Sequence, residues 1–254
     1  VETKPRTLLI DLETAPSLGY YFDLYKEGNI VATKQEWYLL SFAYKWLGET
    51  TKAFSLPDFK GYKPDSGNDL PLVKELHKLF DEADIIVAHN GDHFDIKKSN
   101  ARFAFHKLPP PSPYRTVDTL KAVRQFAAFT SNRLDALARH LGYGHKVVHT
   151  GIHLWMGCMS GDPEAWRLMV KYNKHDVELL EKIYLHFLPW IKNHPNVGVY
   201  STIKVCTRCG STNIHRRGTQ YNSTTAYQRL KCMTCKGWMR EIKNTLETKP
   251  FVNA

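Results

Sequence analysis

The chain has 254 residues, 43% of them hydrophobic, and a formal net charge of +10 at pH 7. This is enough to bury a sizeable core, as one large domain or a large domain with an appendage. No apolar run approaches the roughly 20 residues that a membrane-spanning helix requires, and the N-terminus carries no signal-peptide apolar stretch, so a soluble, cytoplasmic protein with no membrane contact is expected.

The Asn222-Ser223-Thr224 sequon then carries no meaning. The charge is unevenly spread. Residues 201–254 hold ten Lys/Arg against Glu241 and Glu247, a balance of +8, and the first 200 residues carry the remaining +2. A basic appendage on a near-neutral body points to a polyanion-binding module, or to a surface that only aids solubility.

In chain order, Thr7–Thr14 opens with an apolar run, Leu8-Leu9-Ile10, that reads as a buried strand leading into Asp11 and Glu13. Residues i and i+2 of a strand point to one face, so the two carboxylates are aimed together. Like charges so placed raise each other's pKa unless a cation lies between them, and all-oxygen ligation suits magnesium or manganese. The bland alternative is a strand ending in a solvated acidic turn. Glu36–Leu47 and Thr51–Leu56 read as two further strands in an antiparallel meander, turning at Gly48-Glu49.

After a Pro/Gly/Asp-rich loop over 57–69, Leu72, Leu76, Leu79 and Phe80 place a helix over Leu70–Ala83. It leads to a buried strand at Ile85–Ala88, the alternation of an α/β fold. His89–Asp95 follows, then a helix to about His106. Thr116–Phe129 and Ser131–Leu141 read as helices, the second capped by Ser131 or Asn132. Gly142–Gly151 reads as a loop or short strand. Asp162-Pro163 starts the clearest helix, which runs to about Phe187 and carries Tyr172 and Asp176 one turn apart. Asn193–Val199 has the look of a linker between residues 1–192 and residues 201–254.

Asp11 and Glu13, Asp95 and Asp176 thus lie at three separated element ends. Asp95 alone could be a helix cap, and Asp176 alone a solvated helix charge. Together, Asp11-Leu12-Glu13-Thr14, His89-Asn90-Gly91-Asp92-His93-Phe94-Asp95 and Tyr172-Asn173-Lys174-His175-Asp176 resemble the three motifs of the DEDD superfamily of 3′–5′ exonucleases. The form of the second motif is most similar to the exonuclease domains of family B DNA polymerases and their stand-alone relatives. The resemblance covers residues 5–190. It implies a ribonuclease H-like mixed sheet flanked by helices and the tyrosine subtype, with Tyr172 holding the attacking water; His175 has the wrong spacing for that role. One departure is Ile96-Lys97-Lys98, where polymerase-type sequences often carry a proline soon after the aspartate.

The implied activity is hydrolysis of phosphodiesters at the 3′ end of single-stranded nucleic acid, with DNA favoured and RNA left open. Two magnesium or manganese ions about 4 Å apart would serve the nucleophile and the leaving oxygen. Asp11 is placed to bridge them, Glu13 and Asp176 to complete the first site, and Asp95 to support the second. Asn90 and Phe94 are candidates to grip the terminal nucleotide, or else a loop-capping amide and a core aromatic. Asp118 and Asp135 read as structural. A nuclease-fold binding or adaptor protein without turnover, and a structure-specific endonuclease, are the alternatives.

Cys206-x2-Cys209 and Cys232-x2-Cys235, 22 residues apart, have the spacing of a four-thiolate structural zinc site. Two disulfides are the alternative. With Gly210, Gly237, Tyr221, Tyr227 and Trp238 nearby, the segment resembles a small β zinc ribbon, dependent on its metal for folding. Arg216 and Arg217, with Arg229, Lys231 and Arg240, are candidate phosphate contacts beside rings that stack on bases. A replication or repair protein docking on the ribbon is the competing use. Cys158, the fifth cysteine, reads as a small buried apolar residue.

Overall fold

The structure, a computed structural model, describes residues 4–22 and 30–245. These divide into two compact units, Arg6–Ile183 and a smaller one that begins at Tyr184.

In the larger unit the chain forms β1 (Thr7–Thr14), β2 (Leu18–Tyr20), β3 (Ala32–Gln35), β4 (Leu39–Trp46) and β5 (Lys52–Ser55). Then come α1 (Leu70–Glu82), β6 (Ile85–Ala88), α2 (Asp95–Phe105), β7 (Arg115–Asp118), α3 (Thr119–Phe126), α4 (Leu134–His140), α5 (Ile152–Ser160) and α6 (Pro163–Phe187), whose last residues, from Tyr184, are counted with the smaller unit. Five strands make one mixed sheet in the order β5-β4-β1-β6-β7, with β1 at its centre. The antiparallel meander expected at the start of the chain is β1-β4-β5, and β2 and β3 form a separate two-stranded ribbon inserted between its first two strands.

Leu8, Leu9 and Ile10 are wholly buried, as a continuous apolar run requires of a strand covered on both faces. Ile10, Phe42, Leu72, Leu76 and Phe80 belong to one core cluster under α1. The 25 residues of α6 make the longest helix, and Asp162 caps it through its carboxylate to the Glu164 N–H at 2.9 Å.

Pairing on the two sides of β1 is unequal, and that positions the site. Against β4 the ladder runs the full strand, from Leu8↔Trp46 to Thr14↔Leu39. Against β6 it covers only Thr7↔Ile85 to Leu9↔Val87. The C-terminal half of β1 therefore projects past the end of its parallel neighbour, and the N-terminus of α2 fills the gap.

Two expectations are corrected. Thr116–Phe129 is not one helix: Thr116 and Val117 pair with Ile86 and Val87 as part of β7, and Asp118 then caps α3 by accepting from the Lys121 N–H. The β-branched pair favours the strand, whereas its apolar spacing also fits a helix. The next helix starts at Leu134 with Arg133 as N-cap, later than the Ser131 or Asn132 expected. Helix α5 was not foreseen, because Gly157 within it is a poor helix former and Gly151 at its start offers no capping side chain.

In the smaller unit β8 (Ile214–Tyr221), β9 (Ala226–Cys232) and β10 (Trp238–Asn244) form an antiparallel sheet in the order β10-β9-β8. No helix of the described residues is long and apolar enough to cross a membrane.

A buried ion cluster ties three elements of the larger unit. Asp69, at the N-cap position of α1, is fully buried and turns its carboxylate away from the helix; it accepts from Leu39 N–H at 2.8 Å, from Arg102 Nη2 at 2.5 Å and pairs with His106 Nε2 at 2.6 Å. Asp69→Ala leaves the buried Arg102 charge uncompensated, and the expected destabilisation is about 3–5 kcal/mol, read by urea unfolding. A loss below about 1 kcal/mol would mean that water reaches the guanidinium.

Candidate active site

Asp11 and Glu13 sit on the projecting half of β1, with buried Leu12 between them facing the core. Helix α6 brings Asp176 against them, and carboxylate oxygens of Asp11, Glu13 and Asp176 all lie within 4.8 Å of one another. Asp95, the first residue of α2, is buried beside this trio. Its Oδ1 accepts from the Leu12 N–H at 3.0 Å, a donor that the short β6 ladder leaves unpaired. Asp95 is thus held to the backbone of the strand that carries Asp11 and Glu13 and stands outside the closest group. The expected four acids are brought to one place.

Burial, then repulsion, dominates their electrostatics. Desolvation followed by the charge of Glu13 holds Asp11 well above the usual carboxylate range. Desolvation followed by Asp176 pushes Glu13 up to about 8. Desolvation raises Asp95 to about 7 against the Leu12 hydrogen bond, and raises Asp176 against its cationic neighbour.

That neighbour is Lys146, whose Nζ lies 2.5 Å from Asp176 Oδ2 and donates to the Tyr172 hydroxyl oxygen at 3.1 Å. One lysine leaves three negative charges uncompensated when all four acids are ionised. Asp176 Oδ1 is buried and has no hydrogen-bond partner among the described residues. An orphaned carboxylate oxygen inside an all-oxygen donor set fits a hard divalent cation.

Several residues that hold this arrangement were not foreseen. Asn173 is fully buried and donates to Asp11 Oδ2 at 2.6 Å and to the Asp11 carbonyl at 3.0 Å, while its Oδ1 accepts from Ser41 at 3.2 Å. A polar amide in the interior of an apolar-patterned helix was the available signal. Trp155 of α5 donates to Glu13 Oε2 at 3.2 Å, and the His149 ring packs edge-on against both Trp155 and Tyr172. Lys146 and His149 belong to the loop over 142–151, where no periodicity marks them. That loop is anchored by Asp135, which accepts from the Lys146 N–H, and by His175, which contacts the His145 carbonyl at 2.9 Å. Asp135 is structural as expected.

Asn90 follows β6 with a φ of 66°. Its carbonyl accepts from His93 and Phe94, and its N–H donates to Asp118 Oδ1 at 3.0 Å, so the capping reading of Asp118 holds. Gly91 is required here, since a Cβ would meet Ala88 Cβ at 2.4 Å. His89 is held neutral, burial pushing it down to about 4, with its ring nitrogens on Thr119 and the Asn132 carbonyl.

Phe94 is half-buried against the core. Asn90 lines a cavity of about 700 Å³ shared with Arg124, Asn132 and Lys146. A second cavity, of about 410 Å³, is lined by Thr14, Trp37, Lys98 and Trp155, with Lys98 Nζ 3.6 Å from the Trp37 ring centre. Lys98 therefore lies on the wall of a cavity that begins at Thr14, the residue after Glu13.

In the smaller unit the four cysteines Cys206, Cys209, Cys232 and Cys235 cluster. Their Sγ atoms pair at 3.6 Å, Cys206 with Cys235 and Cys209 with Cys232. A disulfide needs about 2.05 Å. Four sulfurs about 2.3 Å from a central tetrahedral ion lie at about the separation seen, so the donor set fits a metal. Arg216 and Arg217 are exposed on β8 of this unit. Cys158 is fully buried in the core of the larger unit.

A family model of the RNase H superfamily matches residues 20–188, and the chain belongs to that superfamily. No curated protein matches. Among solved structures the chain is similar to the family B DNA polymerase of the hyperthermophilic archaeon Pyrobaculum calidifontis, at a TM-score of 0.55 and 16% identity over 87% of this chain. The match spans 32% of the polymerase chain, and at that identity it bears on the fold alone. The fold is thus ribonuclease H-like with a small C-terminal β part, and the superfamily supports a nuclease-type function.

Asp11→Asn should raise the melting temperature of the protein measured without divalent ions. The folded-state pKa of Asp11 lies above the unfolded value, so stability that is fully present below the unfolded pKa is lost as pH rises from there through the folded pKa. The variant's advantage should therefore be largest at pH 8 and shrink towards pH 5. A variant less stable than wild type at pH 8 would show that Asp11 is compensated by the protein alone.

Proposed function

We propose that the protein is a metal-dependent 3′–5′ exonuclease that hydrolyses the terminal phosphodiester of single-stranded nucleic acid, DNA by preference. The observation that carries this reading is the convergence of Asp11, Glu13 and Asp176 around an orphaned Asp176 oxygen, beside a tyrosine hydroxyl fixed by Lys146.

Asp11, Glu13 and Asp176, with Asp95 behind them, would hold two magnesium or manganese ions. When bound, such ions supply a hydroxide-like nucleophile and stabilise the leaving 3′-oxygen. The protein's own groups orient and exclude. Lys146 donates to the phenol oxygen of Tyr172, whose hydroxyl also bonds to Asp176, so the phenol is held beside the acids where it would position the attacking water. Asn173 fixes the Asp11 carboxylate so that its rotation is not lost on binding. The two flanking grooves give a strand its path, with Asn90 on one side and Trp155, Trp37 and Lys98 on the other; Phe94, half-buried, supports the terminal nucleotide from below. The four thiolates would hold one structural zinc ion that does no chemistry, since all four tetrahedral positions are filled by protein.

The test is digestion of 5′-labelled DNA and RNA strands with magnesium, products resolved by length. A ladder shortening from the 3′ end is expected, faster on DNA. Internal cuts at fixed positions would replace the proposal with an endonuclease, and binding without products with an adaptor. Asp11→Asn should abolish cleavage. Tyr172→Phe should lower kcat by roughly 10²-fold with KM little changed, as for a group that acts mainly in the transition state. A large rise in KM at unchanged kcat would make Tyr172 a stacking residue instead.

A further inference from the structure

The register of the small sheet sorts its basic residues onto two faces. Trp238 stands opposite Lys231, and Arg240 opposite Arg229. Side chains directly across an antiparallel pair share a face, as do residues two apart along a strand. One face therefore carries Tyr227, Arg229 and Lys231 from β9 with Trp238 and Arg240 from β10. Arg216, opposite Leu230, which itself stands opposite Met239, belongs to the other face.

On the first face the cations lie on the rings. Arg229 and Lys231 are 4.7 and 5.1 Å from the Trp238 ring centre, and Arg240 is 3.8 Å from that of Tyr227. Arg229 is also fixed by its Nε donating to the Arg217 carbonyl at 2.8 Å. Trp238 remains 44% exposed.

Two features of this face are costly for a solvated surface. Arg229 and Arg240 are like charges in directly opposed positions, which destabilises a sheet. No carboxylate shares the face among the described residues: Glu241 alternates to the other side and pairs with Lys204 at 3.8 Å. Both costs are relieved by a bound polyanion.

We propose that this face is a binding site for single-stranded nucleic acid, outside the carboxylate centre, with Arg229, Lys231 and Arg240 on phosphates and Trp238 and Tyr227 stacking on bases. The rings select the ligand class. In a duplex the base faces are already stacked on one another, and an acidic peptide offers no π-face to the rings, whereas unpaired bases offer both charge and flat surface.

The test uses the full chain carrying Asp11→Asn, without added magnesium, and a fluorescein-labelled oligothymidylate read by anisotropy across a salt series. Adding Arg229→Gln and Arg240→Gln should flatten the log–log salt slope by about 1.4, two contacts at about 0.7 each. Trp238→Ala should weaken binding about tenfold, the scale of one lost base stack, and Trp238→Phe should restore most of it. Arg216→Ala on the opposite face should change the slope by less than half as much as Arg240→Gln alone.

Metal content is measured for each protein. If Trp238→Ala loses its metal, Trp238→Phe with Arg240→Gln decides. The proposal is overturned if Arg216→Ala weakens binding as much as Arg240→Gln, if duplex of equal length binds as tightly as single strand, or if heparin binding shows the same losses throughout. Because no cleavage is read, failure here leaves the catalytic reading standing, and a protein inert on 3′ ends leaves this one standing.

Discussion

Asp11, Glu13 and Asp176 are forced together in a partly buried site, and no group among the described residues neutralises all of them. A folded chain tolerates this only if the scaffold is strong enough to hold repelling groups in place. The wholly buried run Leu8-Leu9-Ile10, locked between two neighbouring strands, provides that hold at one end. Asn173, bonded at once to β4 and to Asp11, provides it at the other. The strain is local, and the element that carries it is the most central in the sheet.

The loop over 142–151 is the second part of the arrangement. It contributes Lys146, the sole cation in hydrogen-bond contact with the trio among the described residues, and His149 against the Tyr172 ring. Asp135 and His175 hold its backbone from two different helices, so a loop without secondary structure places an ammonium within 2.5 Å of Asp176. His175, through the His145 carbonyl, anchors the loop that carries Lys146, which in turn donates to Tyr172.

Much of this was legible before any coordinates. The apolar run before Asp11, the 3.6-residue stripes of α1 and α6, and the paired C-x2-C knuckles each carry a periodicity or spacing set by geometry, and those elements were found where expected. Helix α5 and the boundary between β7 and α3 were not. Gly151 and Gly157 hide α5, and across the short run at Thr116-Val117 the two periods do not separate, so pairing with Ile86 and Val87 decided that case. At the site, the acids announced themselves as charges at the ends of apolar elements. Lys146, Asn173 and Trp155 did not, because each matters through a contact 30 to 162 residues away in sequence, which no local pattern encodes. On the ribbon, counting basic residues could not tell Arg216 from Arg240. The strand register could.

The central claim, that the carboxylate trio is built around divalent cations, is tested most directly by the melting temperature of the wild-type protein as magnesium is added. Magnesium is the informative ion because it prefers oxygen ligands and leaves the thiolates alone. Binding to the folded state alone stabilises by about 2.7 kcal/mol at a hundredfold excess over Kd, so a rise of several degrees that saturates is expected, absent when Asp11 and Asp176 are both replaced by asparagine. A melting temperature indifferent to millimolar magnesium, or an equal rise in the double variant, would contradict it.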